Sequence, residues 1–178
     1  MGEKITKRVH IFDDDSAPDI IHPKTYENHR YGLGKTGKNP IICIGMNPSA
    51  AREEYSDATV NKVIRNTKSL YDGWIMLNIY PERATDATLL ESFNKKIHKE
   101  NIKYIIDTIK KHNAKEVWGA WGDIDVKKDY LTDVKNDVVK ALKENNINIF
   151  YFGNLTKLGN PRHPLYIKID FNNKNYLK

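Results

Sequence analysis

Cysteine is almost missing from this 178-residue chain. Cys43 stands alone, which excludes an internal disulfide, a cysteine-based zinc site and a cysteine-ligated iron–sulfur cluster. No apolar run approaches the ~20 residues that a membrane-spanning helix needs. The first ten residues, MGEKITKRVH, are charged and carry no apolar stretch of the kind found in a secretory leader. The expectation is a soluble cytoplasmic protein, without a membrane partner, whose chemistry is done by oxygen and nitrogen groups. Histidines 10, 22, 29, 98, 112 and 163 include no pair at helical ligand spacing with an acidic third ligand, so neither a metal nor a cofactor is expected. Gly34-Lys35-Thr36 resembles the end of a phosphate-binding P-loop, but His29 stands where that motif needs its first glycine and no strand precedes it.

The composition that remains is that of a globular domain. Hydrophobic residues make up 39% and aromatics 10%, too rich for disorder, and the length suits one domain with a real core. Lys and Arg exceed Asp and Glu by 29 to 23, a formal charge of +6 that admits a polyanionic partner without requiring one. Residues 1–40 show little periodicity and contain Asp13 to Asp15, Pro18, Pro23 and a glycine-rich stretch. They read as an irregular N-terminal arm, with at most short strands, packed on a domain formed by residues 41–178.

From Ile41 onward, apolar runs alternate with helical periodicity. Strands are expected at 41–46, 74–79, 117–121 and 147–152. Between them Val60, Val63, Ile64, Thr67 and Tyr71 repeat at helical spacing, as do Ile102, Ile105, Ile106 and Ile109, and then Leu131, Val134, Val138 and Leu142. A short helix is expected at 88–93. This alternation predicts an α/β fold, a three-layer α/β/α sandwich around a central four-stranded, mostly parallel sheet.

In such sheets ligands bind beyond the carboxyl ends of the strands. The unusual polar residues fall there: Asn47 and Ser49 after the first strand, Asn78 and Arg83 after the second, Trp121 after the third, and Thr156, Lys157, Arg162 and His163 after the fourth. Asn47, ahead of Pro48, is either a turn former or a ligand group. Asn78, an amide closing an apolar strand, must bond a neighbouring loop or read a ligand, because burying it without partners is costly. His163 is a surface histidine or an electrophile at the rim. Asp57 and Thr59 are first of all helix caps, although a carboxylate beside a site can also orient water. Trp118 belongs to the core, and Trp121 is the better candidate for a site aromatic. The lysines of 97–113 and 127–143 form solvated faces.

Taken together, the rim motifs resemble the uracil-DNA glycosylase superfamily over about residues 41–166. Ile44-Gly45-Met46-Asn47-Pro48-Ser49 is similar to the first signature of the mismatch-specific branch, Leu77-Asn78 to the strand whose asparagine reads the base edge, Trp121-Gly122 to the end of the third strand, and His163-Pro164-Leu165 to the last signature. The resemblance implies that Asn47 positions the attacking water, Asn78 reads the Watson–Crick edge and His163 stabilises charge on the leaving base, with Asp57 as a further catalytic candidate. It implies base contacts from Met46, Tyr80, Trp121 and Tyr166, and grip on DNA phosphates by Ser49, Arg83, Thr156, Lys157 and Arg162. Ser49 stands where the uracil-specific branch has a tyrosine that excludes thymine, which implies room for a larger, modified pyrimidine. In the last loop the leucine arrives two residues early. Asn47 replaces the aspartate of the most active branch, so slower hydrolysis or a binding role is implied. More closely, Arg30-Tyr31, Met46-Asn47-Pro48-Ser49-Ala50, Asp57-Ala58-Thr59, Thr156-Lys157 and 161–166 resemble the domain-of-unknown-function family 1643, found in bacteria and phages.

The leading expectation is a monomeric DNA base glycosylase-like enzyme that extrudes a pyrimidine nucleotide and hydrolyses its N-glycosidic bond. The rivals are a non-catalytic nucleic-acid or nucleotide binding module on the same fold, and an enzyme acting on free, modified nucleotides.

Overall fold

In a computed structural model the described residues are 10–178. Their regular elements are β1 (His10–Ile11), β2 (Ile20–His22), β3 (Gly32–Lys35), β4 (Pro40–Gly45), β5 (Tyr55–Ser56), α1 (Ala58–Thr67), β6 (Gly73–Asn78), α2 (Lys95–Lys111), β7 (Glu116–Gly119), α3 (Leu131–Glu144), β8 (Asn148–Phe152) and β9 (Lys174–Tyr176). Seven of the strands form one mixed sheet in the order β2-β3-β6-β4-β7-β8-β9, and β1 pairs with β5 apart from it.

The sheet is wider than the four strands expected. Strands β6, β4, β7 and β8 run parallel, and β2, β3 and β9 extend the two edges in antiparallel sense. The additions are short: β2 has only Ile20 and Ile21 before His22, β3 is glycine-rich (Gly32-Leu33-Gly34) and β9 is polar (Lys174-Asn175-Tyr176), so none carries an apolar run long enough to mark a strand. Strands β2 and β3 lie inside the stretch expected as an arm, and their backbone pairing makes residues 20–35 part of the sheet. The short helix expected at 88–93 is a single 3₁₀ turn at Ala87–Leu89, capped by Asp86.

Both faces of the sheet are covered, because side chains alternate along each strand. Ile42, Ile44, Ile75, Leu77, Val117 and Ile149 pack beneath Ile105 and Ile109 of α2 and Val134, Val138 and Leu142 of α3. On the other face Ile41, Cys43, Trp74, Met76, Trp118 and Phe150 meet Val60, Val63 and Ile64 of α1. Residues 60, 63, 64 and 67 of α1 are buried, the i, i+3, i+4, i+7 stripe of an amphipathic helix. Asp57 starts α1 by accepting from the N–H groups of Thr59 and Val60, and Asn94 starts α2 by the same device on Lys96 and Ile97. Burial raises the Cys43 thiol pKa, so this cysteine is a small core hydrophobe. Among the described residues no helix is long and apolar enough to cross a membrane.

Candidate functional site

The carboxyl rim is organised by Asn78, the last residue of β6, and Asn47, in the loop after the adjacent parallel strand β4. Gly45 and Asn78 are register partners across β4 and β6. A Cβ at position 45 would stand 3.1 Å from Asn78 Oδ1, so glycine makes the room in which the amide lies. Asn78 is 3% exposed and its Nδ2 has no hydrogen-bond partner among the described residues. A buried amide donor left unmet costs roughly 1–3 kcal/mol, and folded proteins keep few of them. The backbone carbonyl of Asn78 is satisfied from the opposite face by Asn101 of α2, at 2.9 Å.

Asn47 lies two residues beyond β4. Its Nδ2 donates to the carbonyls of Ala84 at 2.8 Å and Pro48 at 3.1 Å, while the N–H of Ala84 donates back to Pro48 at 3.0 Å. Asn47 therefore staples the β4 and β6 loops together. The staple also fixes the amide's sense, leaving Oδ1 as the acceptor that can hold a water. Both Asp57 oxygens are engaged by backbone N–H groups: Oδ1 by Thr59 and Val60, Oδ2 by Ala51 at 3.3 Å. The geometry thus gives Asp57 the capping part of its two expected roles.

His163 comes to the rim from the far side. Its Cβ is 3.4 Å from where a side chain at Gly122 would begin, and Gly122 adopts φ +65°, a turn that favours glycine. Leu165 N–H donates to His163 Nδ1 at 3.3 Å, which puts the proton of the neutral ring on Nε2. The 3₁₀ turn Pro164–Tyr166 is tied to α1, with Lys62 Nζ donating to the carbonyl of Ile167 at 2.7 Å. Asn78, α1 and the 163–167 segment therefore lie on one side of the sheet.

The remaining expected residues separate from this group. Tyr80 and Trp121, at 0% and 1% exposed, belong to the opposite core under α2 and α3, and Met46 packs against that same core. Neither aromatic presents a face for stacking on a base, because the chain after β6 and β7 turns those rings inward. Burial raises the Tyr80 hydroxyl pKa, and the hydroxyl accepts from Asn94 N–H. Tyr166 is 80% exposed and stands 5.7 Å from the His163 ring. Arg162 donates to the carbonyls of Asn154 and Leu155, and Thr156 Oγ1 donates to Asp123, so both side chains hold the last loop together. Lys157 is exposed on that loop and Ser49 is half-buried.

Three residues not expected at the site from sequence, Asn160, Glu82 and Arg30, the last noted only within the Arg30-Tyr31 motif, are buried in the loops of this end of the sheet. Asn160, 3% exposed, donates from Nδ2 to Asp123 and Asp125 and accepts from Lys135 Nζ at 3.1 Å. Glu82, 6% exposed, accepts from the N–H of Glu91 at 2.8 Å. Arg30, 3% exposed, donates from a guanidinium NH2 group to the carbonyl of Ala51 at 2.6 Å. Each is a polar residue in a loop, and only its burial, which sequence does not display, marks it out. Among the described residues no three His, Cys, Asp or Glu side chains gather as metal ligands.

The architecture is that of a mixed α/β protein with three helices and a seven-stranded sheet whose polar groups gather past the carboxyl ends of its parallel strands. Residues 30–165, about three-quarters of the chain, match the family described as "Protein of unknown function (DUF1643)", and the chain belongs to that family. No curated protein and no solved structure matches it.

Proposed function

We propose that the rim binds a pyrimidine nucleotide and hydrolyses its N-glycosidic bond, in the manner of a DNA base glycosylase acting on an extruded nucleotide. The observation that carries this reading is the buried Asn78 amide with an unmet Nδ2. A donor and an acceptor on one buried amide match the adjacent carbonyl and N–H on the edge of a pyrimidine ring. In the reaction the C1′–N bond breaks with its electron pair moving to the base, and positive charge develops on the sugar. His163 Nε2–H donates to the oxygen on which negative charge gathers, an electrostatic stabilisation aimed at the transition state. Water held by Asn47 Oδ1 adds to C1′, and the proton it sheds passes through solvent to the departed base. A neutral amide is too weak a base to take that proton, so bond breaking runs ahead of water attack. The resemblance of the Asn47, Asn78 and His163 motifs to the uracil-DNA glycosylase superfamily supports the same assignment.

The internal bonds of Arg162 and Thr156 favour a second form of substrate. With those groups already engaged, the rim offers fewer contacts for a DNA backbone, and a free nucleotide fits the same chemistry. The test incubates the protein with labelled oligonucleotides containing uracil, mismatched thymine or modified pyrimidines, followed by alkali, and in parallel with the corresponding free nucleotides. Strand scission or free base is expected with wild type and is abolished by Asn78→Leu or His163→Ala. Binding without cleavage of any of these substrates would leave a binding module instead.

A further inference from the structure

A second polar concentration lies on the outer side of the β4 and β6 loops. Arg30, Arg52 and Arg83 line an open cavity of about 110 Å³, together with Leu33 and Tyr26. The guanidinium carbons of Arg52 and Arg83 stand 4.4 and 4.5 Å from the centre of the Tyr26 ring, so one aromatic ring holds two like charges together. Arg83 is further fixed by donating from Nε to the carbonyl of Glu27 at 3.0 Å. Among the described residues none of the three is within 4.0 Å of a carboxylate. Arg30 is the telling member, because it is 97% buried and its Nε has no partner among the described residues. Burial, with the repulsion of Arg83, lowers its pKa to about 10, and Asp57 offsets only part of that. With Lys24, four cations face the cavity against the two carboxylates of Glu53 and Glu54.

We propose that Arg30, Arg52 and Arg83 form a binding site for the dianion of a phosphate monoester. A buried, unpaired charge is costly, and folded chains accept it where a ligand supplies the counter-charge. Guanidinium groups match phosphate oxygens two at a time. The cavity has about the volume of four waters in the liquid, which suits a tetrahedral oxyanion at a chain end better than an internal diester. A monoester also carries about −1.5 to −2 charges at neutral pH, close to the surplus lining the walls. Ala51, which accepts from Arg30, follows Asn47 by four residues, and Arg83 adjoins the Ala84 that Asn47 holds. The site therefore lies next to the rim, but the inference rests on the arginines and stands whether or not the rim hydrolyses anything.

The probes are inorganic phosphate, a pyrimidine nucleoside, its 5′-monophosphate, and a short oligonucleotide with and without a 5′-phosphate, titrated calorimetrically at fixed ionic strength. Phosphate and the monophosphate are expected to bind, the nucleoside to bind at least tenfold more weakly than its monophosphate, and the 5′-phosphorylated oligonucleotide to bind better than its unphosphorylated twin. The exposed Arg52→Gln change and Arg83→Gln should each weaken the monophosphate by about tenfold or more, the value of one charge-assisted hydrogen bond. Arg52 is exposed, so Arg52→Gln serves as the folded reporter if Arg30→Gln or Arg83→Gln, which lose internal hydrogen bonds, does not fold. Equal affinity for nucleoside and monophosphate, or unchanged affinity in both glutamine variants, would overturn the site. Equal binding of the two oligonucleotides would overturn the monoester and make internal diesters the ligand.

Discussion

At the scale of single residues, Asn78 and Asn160 make opposite predictions although both are buried amides. Asn160 has its donors and its acceptor engaged by Asp123, Asp125 and Lys135. Removing it leaves two carboxylates and an ammonium short of partners, so Asn160→Ala is expected to lower stability by about 2–4 kcal/mol in urea unfolding. Among the described residues Asn78 Nδ2 has no partner and its side chain supports no other group. Asn78→Leu is expected to fold with an unchanged or higher denaturation midpoint while losing ligand binding, the pattern of a residue kept for function at a cost in stability. A drop in midpoint comparable to that of Asn160→Ala would make Asn78 structural. Only part of this was legible in the sequence. An amide at the end of an apolar strand announced Asn78, whereas Asn160 sits among Gly159 and Pro161 and reads as turn chemistry.

At the scale of elements, the N-terminus of α1 and the loop after β8 form the walls of the rim. Asp57 caps α1 and also receives Ala51 N–H, so it sets the helix start and the β4 loop at once. Asp57→Ala is expected to cost at least the ~1 kcal/mol of an ordinary cap, and Asp57→Asn less, because its remaining oxygen still accepts at the helix. Chemical denaturation of the two variants separates them. The loop after β8 depends on pH through Asp125. Burial raises this carboxyl pKa, but the hydrogen bonds from Lys135 and Asn160 outweigh burial and hold it below its ordinary value. A carboxyl with a depressed folded pKa contributes stability that is fully present above its unfolded value, about 3.9, and is lost as pH falls through the folded one. Melting temperature should therefore fall more steeply below about pH 4 in wild type than in Asp125→Asn. Parallel slopes would mean that Asp125 does not carry this effect.

At the scale of the whole molecule, the four parallel strands and three main helices were legible because each buries an apolar run or stripe. Val60, Val63 and Ile64 of α1, and Val134, Val138 and Leu142 of α3, meet the sheet as their spacing requires. The flanking strands were not legible, since β2, β3 and β9 are only three or four residues long, too short for an apolar run, and join the sheet by backbone pairing, β2 on β3, β3 on β6 and β9 on β8. The same limit applied to the aromatics: a Trp or Tyr at a strand end reads equally as core or as site, and Tyr80 and Trp121 went to the core. For the arginines, sequence separation hid the grouping, because Arg30, Arg52 and Arg83 come from three loops that only the sheet order brings together.

The central claim is that the Asn47–Asn78 rim cleaves the bond between a pyrimidine and its sugar. Its most direct measurement is the release of free base, separated by chromatography, from pyrimidine nucleotides offered both in DNA and as monophosphates, with wild type and Asn78→Leu side by side. The account predicts base release by wild type, absent from the folded Asn78→Leu protein. No release by wild type from either form, or equal release by both proteins, would contradict it.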